Sequence, residues 1–153
     1  MDDLFYMKEA LKEAYKAYEL GEVPIGALIV KDDKIISRAH NSVERDGSSL
    51  SHAELKAIGL ASKELGNFRL TDCTIYTSLE PCVMCAGALV YARIARLVFA
   101  AYDKKRGACG SLLNLCDYEG LNHKVSYQGG LLEEESLALI QKFFKELRER
   151  KKS

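Results

Sequence analysis

Several things are missing from these 153 residues, and each absence narrows what the chain can be. There is no charge excess. The 22 Lys and Arg balance 22 Asp and Glu, so the surface is no polycation, and any hold on nucleic acid must use local basic patches. There is no long apolar run: the six residues from Ile25 to Val30 fall far short of a bilayer span. The opening Met1-Asp2-Asp3-Leu4-Phe5-Tyr6-Met7-Lys8 lacks a secretory signal pattern, so the expectation is a cytoplasmic protein with no membrane partner. Low-complexity tracts, internal repeats and linkers are also missing. With 48% hydrophobic and 29% charged residues, the chain is expected to form one domain, 1–153, with a real core.

What is there alternates between helix and strand patterns. Leu4, Met7, Leu11, Ala14 and Tyr18 make one helical face, closed by Gly21. Ile25–Val30 and Ile35–His40 read as a hairpin around Lys31–Lys34, and Asn41–Ser51 as a polar loop. A helix is expected from His52 to Leu65, with Ser51 as its N-cap and Gly66-Asn67 ending it. Cys73–Thr77 reads as a strand. Pro81 then opens a helix from about Cys82 to Arg93. Arg96–Ala101 is a fourth strand and Lys124–Gln128 a short fifth, separated by a long irregular stretch of the kind that carries function. The last helix, about Glu133–Arg150, places Leu137, Ile140, Phe144 and Leu147 on one face. The order α-β-β-α-β-α-β-β-α argues a three-layer α/β architecture.

Three segments carry chemistry: His52-Ala53-Glu54, Pro81-Cys82-Val83-Met84-Cys85, and the polar Asn41 at the end of the second strand. Cys82 and Cys85 are three apart, so both thiols share one helix face in a first turn, where backbone N–H groups favour the thiolate. His52 opens the other helix. Side by side, the two helices would offer one imidazole and two thiolates. Three protein ligands are the mark of a catalytic zinc site, which keeps its fourth position for water and brings that water's pKa toward neutrality. Glu54 can reach over such a water, take its proton and return it to a departing amine. Bland readings stand beside these. The Cys pair could be a redox dithiol, or a structural zinc could recruit Cys73, Cys109, Cys116 or His123 as a fourth ligand. Glu54 could simply suit the helix dipole. Cys73 reads as a small buried hydrophobe, and His40 and His123 as surface or satisfied core histidines.

His-x-Glu followed by Pro-Cys-x-x-Cys is the zinc nucleobase-deaminase signature of the cytidine and deoxycytidylate deaminase superfamily. Beyond it, Glu22–Ala27, Ser51–Glu54, Leu79–Ala88, Gly107–Ser111, Leu121-Asn122-His123 and Phe143-Phe144 resemble the bacterial tRNA-specific adenosine deaminases over roughly residues 4 to 150. That resemblance implies a cytidine-deaminase-like α/β/α sandwich with a five-stranded mixed sheet. It also implies a homodimer acting on the wobble adenosine of a tRNA anticodon stem-loop to give inosine. His52, Cys82 and Cys85 would then bind one Zn2+ per chain, and Glu54 would shuttle protons. Asn41 would hydrogen-bond the flipped base and the Ala53 backbone would touch it. Asp103, Lys105, Asn122, Phe144 and Arg148 would meet the anticodon loop. The chain departs from the family at Asp46–Ser51, at Cys109 in place of Ala, and at Tyr102 before Asp103, all on the substrate rim.

The competing function is deamination of a free base, nucleoside or nucleotide, of guanine, cytosine or cytidine type, by the same zinc chemistry. A free base needs no basic rim such as Lys104-Lys105-Arg106 or the Lys and Arg residues after Gln141, although a charged last helix also suits plain solvation. A non-catalytic partner subunit is a third reading, disfavoured by the intact Glu54. Phe144 can be read either as a base-stacking aromatic or as core.

Overall fold

The structure is a computed structural model that describes residues 2–152. Its elements run α1 (Asp3–Glu19), β1 (Gly26–Lys31), β2 (Lys34–His40), α2 (Val43–Asp46), α3 (Ala53–Leu65), β3 (Thr74–Leu79), α4 (Val83–Tyr91), β4 (Arg96–Ala101), β5 (Ser126–Gly129) and α5 (Glu133–Lys152). The strands form one five-stranded mixed sheet in the order β2-β1-β3-β4-β5. β1 is antiparallel to both β2 and β3, while β3, β4 and β5 run parallel. Helices cover both faces, α1 and α5 on one and α3 and α4 on the other, so the three-layer α/β/α expectation holds.

The strand sequences explain the layering. β1, β3 and β4 are central and buried on both faces; β1 and β4 are apolar between their end residues, while β3 also buries Thr77 and Ser78. Alternate side chains divide the core. Ala27, Ile29, Ile75, Leu97 and Phe99 pack with Ala53, Ala57 and Ala61 of α3 and with Ala86 and Leu89 of α4. Leu28, Val30, Tyr76, Val98 and Ala100 pack under Tyr6, Met7 and Ala10 of α1. The hairpin turns through Asp32 and Asp33, both at positive φ (51° and 60°), which suits the right-handed twist of the flanking strands. Gly21 at φ 78° ends α1, as its place after the apolar face suggests.

Several boundaries differ from the sequence expectation for identifiable reasons. His52, not Ser51, is the N-cap of α3. Ser51 is held outside the helix, its carbonyl accepting from the Ser42 N–H at 3.0 Å. The polar stretch after β2 contains the short helix α2, because the buried Glu22 carboxylate accepts from the Glu44 and Arg45 N–H groups at 3.0 and 2.7 Å. α4 stops at Tyr91, with Arg93 in a left-handed conformation at φ 63°. Along α5 the buried positions are Ser136 and Phe143. Leu137, Ile140 and Phe144 form a genuine apolar stripe, but it faces a cleft rather than the core.

Gly26, at the start of β1, lies directly beneath α1. A Cβ there would sit 2.2 Å from the Ala10 carbonyl oxygen and 2.4 Å from the Ala14 nitrogen. Because backbone cannot yield as a rotamer can, Gly26→Ala is expected to destabilise at or above the upper end of the roughly 1–3 kcal/mol typical of overpacking. Chemical denaturation checks this, and an unchanged midpoint would contradict so close an approach of helix and strand.

Candidate active site

Strand direction decides where the chemistry sits. β2 and β3 both oppose β1, so they end at the same edge of the sheet, and parallel pairing brings the ends of β4 and β5 there too. The segments that follow, including the starts of α3 and α4 and the long connection after Ala101, crowd one end of the molecule. That is where open α/β sheets bind ligands.

There His52, Cys82 and Cys85 meet. His52 is the N-cap of α3 and Cys82 that of α4, with Cys85 three residues further along the same helix. His52 Nδ1 lies 3.7 Å from Cys82 Sγ and 3.4 Å from Cys85 Sγ. With Zn–N near 2.1 Å and Zn–S near 2.3 Å, two ligand atoms at a tetrahedral angle stand about 3.6 Å apart. The spacing thus fits one tetrahedral metal ion. Among the described residues this is the group of His, Cys, Asp and Glu side chains that could hold a metal. Cys73, Cys109, Cys116 and His123 do not join it. The three cysteines are buried free thiols, and His123 Nε2 is 2.8 Å from the Ile94 carbonyl oxygen. With protein groups alone, Cys82 is the thiolate, pushed down to about 5 by the hydrogen bond from Cys85 and by backbone N–H groups of the first turn. Cys85 keeps its proton, its thiol pushed up by Cys82 and by burial.

Glu54 lies in the first turn of α3, buried, and its Oε1 has no hydrogen-bond partner among the described residues. Burial pushes its pKa up to about 7, against the opposing pull of backbone N–H bonding and His52. An unpartnered buried carboxyl oxygen beside three convergent ligand atoms is what a water held by a metal would satisfy. The donor set, the spacing and this orphan oxygen all fit zinc.

The ligands open onto one cleft with two lobes that share Val23, Ile25, His52, Glu54 and Arg106. The inner lobe, about 250 Å³, is lined by Asn41 and Ala53. Asn41 is buried, and its Nδ2 donates to the Val23 carbonyl at 3.2 Å, which fixes the amide's orientation. The outer lobe, about 480 Å³, is walled by Tyr102, Asp103, Lys104 and Lys105 on one side and by Leu137, Ile140 and Phe144 on the other. Phe144 is 38% exposed and stacks edge-on against Phe143. Its environment is the cleft mouth, not the core. Asp103 Oδ1 accepts from the Lys105 and Arg106 N–H groups at 3.2 and 3.1 Å, so its carboxylate builds the turn it belongs to. Asn122 and Arg148 are exposed and stand outside the lining of both lobes. Sequence reasoning passed over Glu22 and Glu80, two buried acids that hold the loops flanking the cleft. The available signal was a lone acidic residue directly before Pro81-Cys82, and another before Val23-Pro24.

Fold and site define a metal-dependent deaminase class, and comparison with known proteins agrees. A family model described as MafB19-like deaminase matches residues 1–148. The chain is 50% identical to the tRNA-specific adenosine deaminase of Bacillus subtilis (strain 168), over 99% of this chain and 94% of that one. It is 48% identical to the protein of the same name from Aquifex aeolicus (strain VF5), over 94% and 95%. A solved structure from work on A-to-I editing by tRNA:A34 deaminases at the wobble position superposes with a TM-score of 0.85 at 39% identity, covering 88% of this chain and 98% of that one. The chain belongs to the tRNA-specific adenosine deaminase family.

Substituting Cys82 or Cys85 by Ser is expected to cost the chain its bound metal and to lower its melting temperature, since the site ties two helix starts together. Metal analysis of purified protein checks this. Full occupancy after both cysteines are replaced would contradict the three-ligand site.

Proposed function

We propose that this chain is a zinc-dependent hydrolase that converts adenosine to inosine at the wobble position of a tRNA anticodon, with His52, Cys82 and Cys85 holding one Zn2+. The observation that carries the chemistry is the orphan Glu54 oxygen beside three convergent ligand atoms in a cleft wide enough for a splayed base. When bound, zinc supplies the Lewis acidity that brings the pKa of water toward neutrality. Glu54 accepts a proton from the water that adds to the amine-bearing purine carbon, and returns it to the leaving nitrogen. Adenosine and water thus become inosine and ammonia. Asn41, its amide oriented by Val23, hydrogen-bonds the base, and the Ala53 backbone packs against it. Lys105, with Lys104 and Arg106, meets phosphates, and Phe144 offers an aromatic edge to a flanking base. Asp103 serves by shaping that turn. Asn122 and Arg148, on the surface beyond the cleft, would be reached only by the outer parts of the stem-loop.

A free-base substrate is not favoured. The solved guanine deaminases of Nitrosomonas europaea (TM-score 0.80, 26% identity) and Bacillus subtilis (TM-score 0.64, 40% identity over 67% of this chain) share the fold, but the tRNA-specific relatives are 43–50% identical over 99% of the chain. The open basic wall suits a polyanion better than a base alone. No helix among the described residues is long and apolar enough to cross a membrane. A tRNA substrate places the protein in the cytoplasm.

The same reading makes the chain a homodimer, and α4 supports it. Its nine residues, Val83 to Tyr91, carry no charge, and a helix apolar all round is one that is buried. Cys85, Ala86, Leu89 and Val90 face the core, yet Val83 and Tyr91 are 58% and 87% exposed. A second copy covering that face accounts for the outward residues. Gly87 has open space beyond it, so Gly87→Arg fits the lone chain. The variant is expected to run as a monomer by light scattering where the parent runs as a dimer. A parent that stays monomeric at micromolar concentration would contradict the dimer.

The activity is tested by incubating the protein with an anticodon stem-loop RNA and detecting inosine by mass spectrometry. Glu54→Gln is expected to keep metal and fold while losing turnover on the order of a hundred- to ten-thousand-fold or more. A variant that kept a large share of kcat would remove Glu54 from the proton transfer, and efficient deamination of free cytidine with no inosine in the RNA would move the chain to the small-molecule branch.

A further inference from the structure

Between the metal-ligand helix and the basic wall lies a carboxylate that takes no part in the chemistry above. Glu80 follows β3 and is 2% exposed. Its own N–H donates to the Ala101 carbonyl at 2.8 Å, which fixes it at the end of the β3–β4 pair. Its Oε1 accepts from the Asp103 N–H at 3.0 Å and from the Ser111 hydroxyl at 2.5 Å. Its Oε2 accepts from the Cys109 and Ser111 N–H groups at 3.1 and 3.0 Å. One side chain therefore grips the loop at both ends of the segment 103–111, from which Lys104, Lys105 and Arg106 reach the cleft. The loop closes tightly on it. A Cβ on Gly107 would lie 2.2 to 2.4 Å from the Glu80 carboxyl group, and the Ala108 N–H donates to the Pro81 carbonyl at 2.8 Å.

We propose that Glu80 is the positioning residue for the basic wall: it sets where Lys104, Lys105 and Arg106 stand relative to the Cys82–Cys85 helix, and so sets affinity for the RNA without touching it. A buried carboxylate that accepts four hydrogen bonds is a stiff anchor. Its neighbour along the chain is Pro81 and the next residue is Cys82, so wall and metal ligands share one rigid origin. Positively charged side chains on a wandering loop would still attract a polyanion, but would not present a fixed pattern to its phosphates.

The inference rests on the RNA reading of the cleft, and the test separates the two. Steady-state kinetics on an anticodon stem-loop are measured for the parent, for Glu80→Gln, for the triple variant Lys104→Ala, Lys105→Ala, Arg106→Ala, and for the two combined. Gln keeps the volume of Glu but turns an NH2 donor toward backbone donors, which loosens the loop. Glu80→Gln is expected to keep its metal and to raise KM on the order of tenfold with kcat little changed, the signature of lost binding rather than lost chemistry. In the rim-neutral background the same change is expected to add almost nothing, because there is no basic wall left to position. An equal rise in KM in both backgrounds, or a fall in kcat at unchanged KM, would overturn the proposal. A rim-neutral protein that binds and edits like the parent overturns the RNA reading of this wall, and the proposal with it. Should Glu80→Gln fail to fold, Ser111→Ala removes one donor and leaves the carboxylate. A KM increase confined to the intact rim then supports the proposal, and an unchanged KM contradicts it.

Discussion

Because β2 and β3 both run against β1, the helices that follow them begin side by side at one end of the sheet, and everything chemical in this molecule depends on that adjacency. A helix start is where backbone N–H groups have no partner, so it is a place where a thiolate is stabilised. α3 brings His52 to this place as its cap and Glu54 in its first turn, and α4 brings Cys82 and Cys85. Neither helix alone offers more than two ligands. The antiparallel entry of β1 makes the two starts converge, and a metal held there would fasten together two helices that also meet in the apolar core.

Around this centre the chain places loops that must be irregular enough to meet an RNA yet fixed enough to recognise it. Two buried acids resolve that conflict. Glu22, just before β1, organises α2 on one side through the Glu44 and Arg45 amides, and Glu80 organises residues 103–111 on the other. Each lies within a few residues of groups that line the cleft, Val23 and Ile25 for Glu22 and Leu79 and Cys82 for Glu80, so substrate walls and reacting centre are referenced to the same strand ends. The fourth side is α5, whose Leu137, Ile140 and Phe144 lend an apolar surface to the mouth. The helix is held in place through Ser136, whose hydroxyl donates to the Ser78 carbonyl at 2.5 Å, and through Tyr18, whose hydroxyl bonds Glu146.

Much of this was legible in the sequence because it is written at short range. The strand runs, the hairpin and the Gly21 and Gly66 helix ends depend on local periodicity and backbone conformation, and the structure places them within a residue or two. The spacing His52-x-Glu54 and Cys82-x-x-Cys85 is likewise local, so the chemistry of each segment could be read before its partner was located. What could not be read was what covers a given face. Periodicity found the stripe Leu137, Ile140, Phe144 but could not say what it faces: the core takes Ser136 and Phe143, and the stripe lines the cleft. An apolar stripe reports a face that avoids water, not the surface that shields it. The roles of Glu22 and Glu80 were hidden for a related reason, since their partners are backbone amides some 20 to 30 positions away, and a backbone amide has no sequence signature. Asp103, on the wall of the outer lobe, has its carboxylate taken up by its own turn, which sequence spacing does not reveal.

The claim on which the account turns is that one imidazole and two thiolates hold the metal and leave a position open beside Glu54. X-ray absorption at the zinc edge of the loaded protein tests this most directly. The account predicts two sulfur scatterers near 2.3 Å and the remaining shell made of nitrogen and oxygen near 2.0–2.1 Å, unchanged when Cys73, Cys109 and Cys116 are replaced together. A shell of three or four sulfurs, or one that changes when those three cysteines are removed, would contradict it and make the centre a closed structural site.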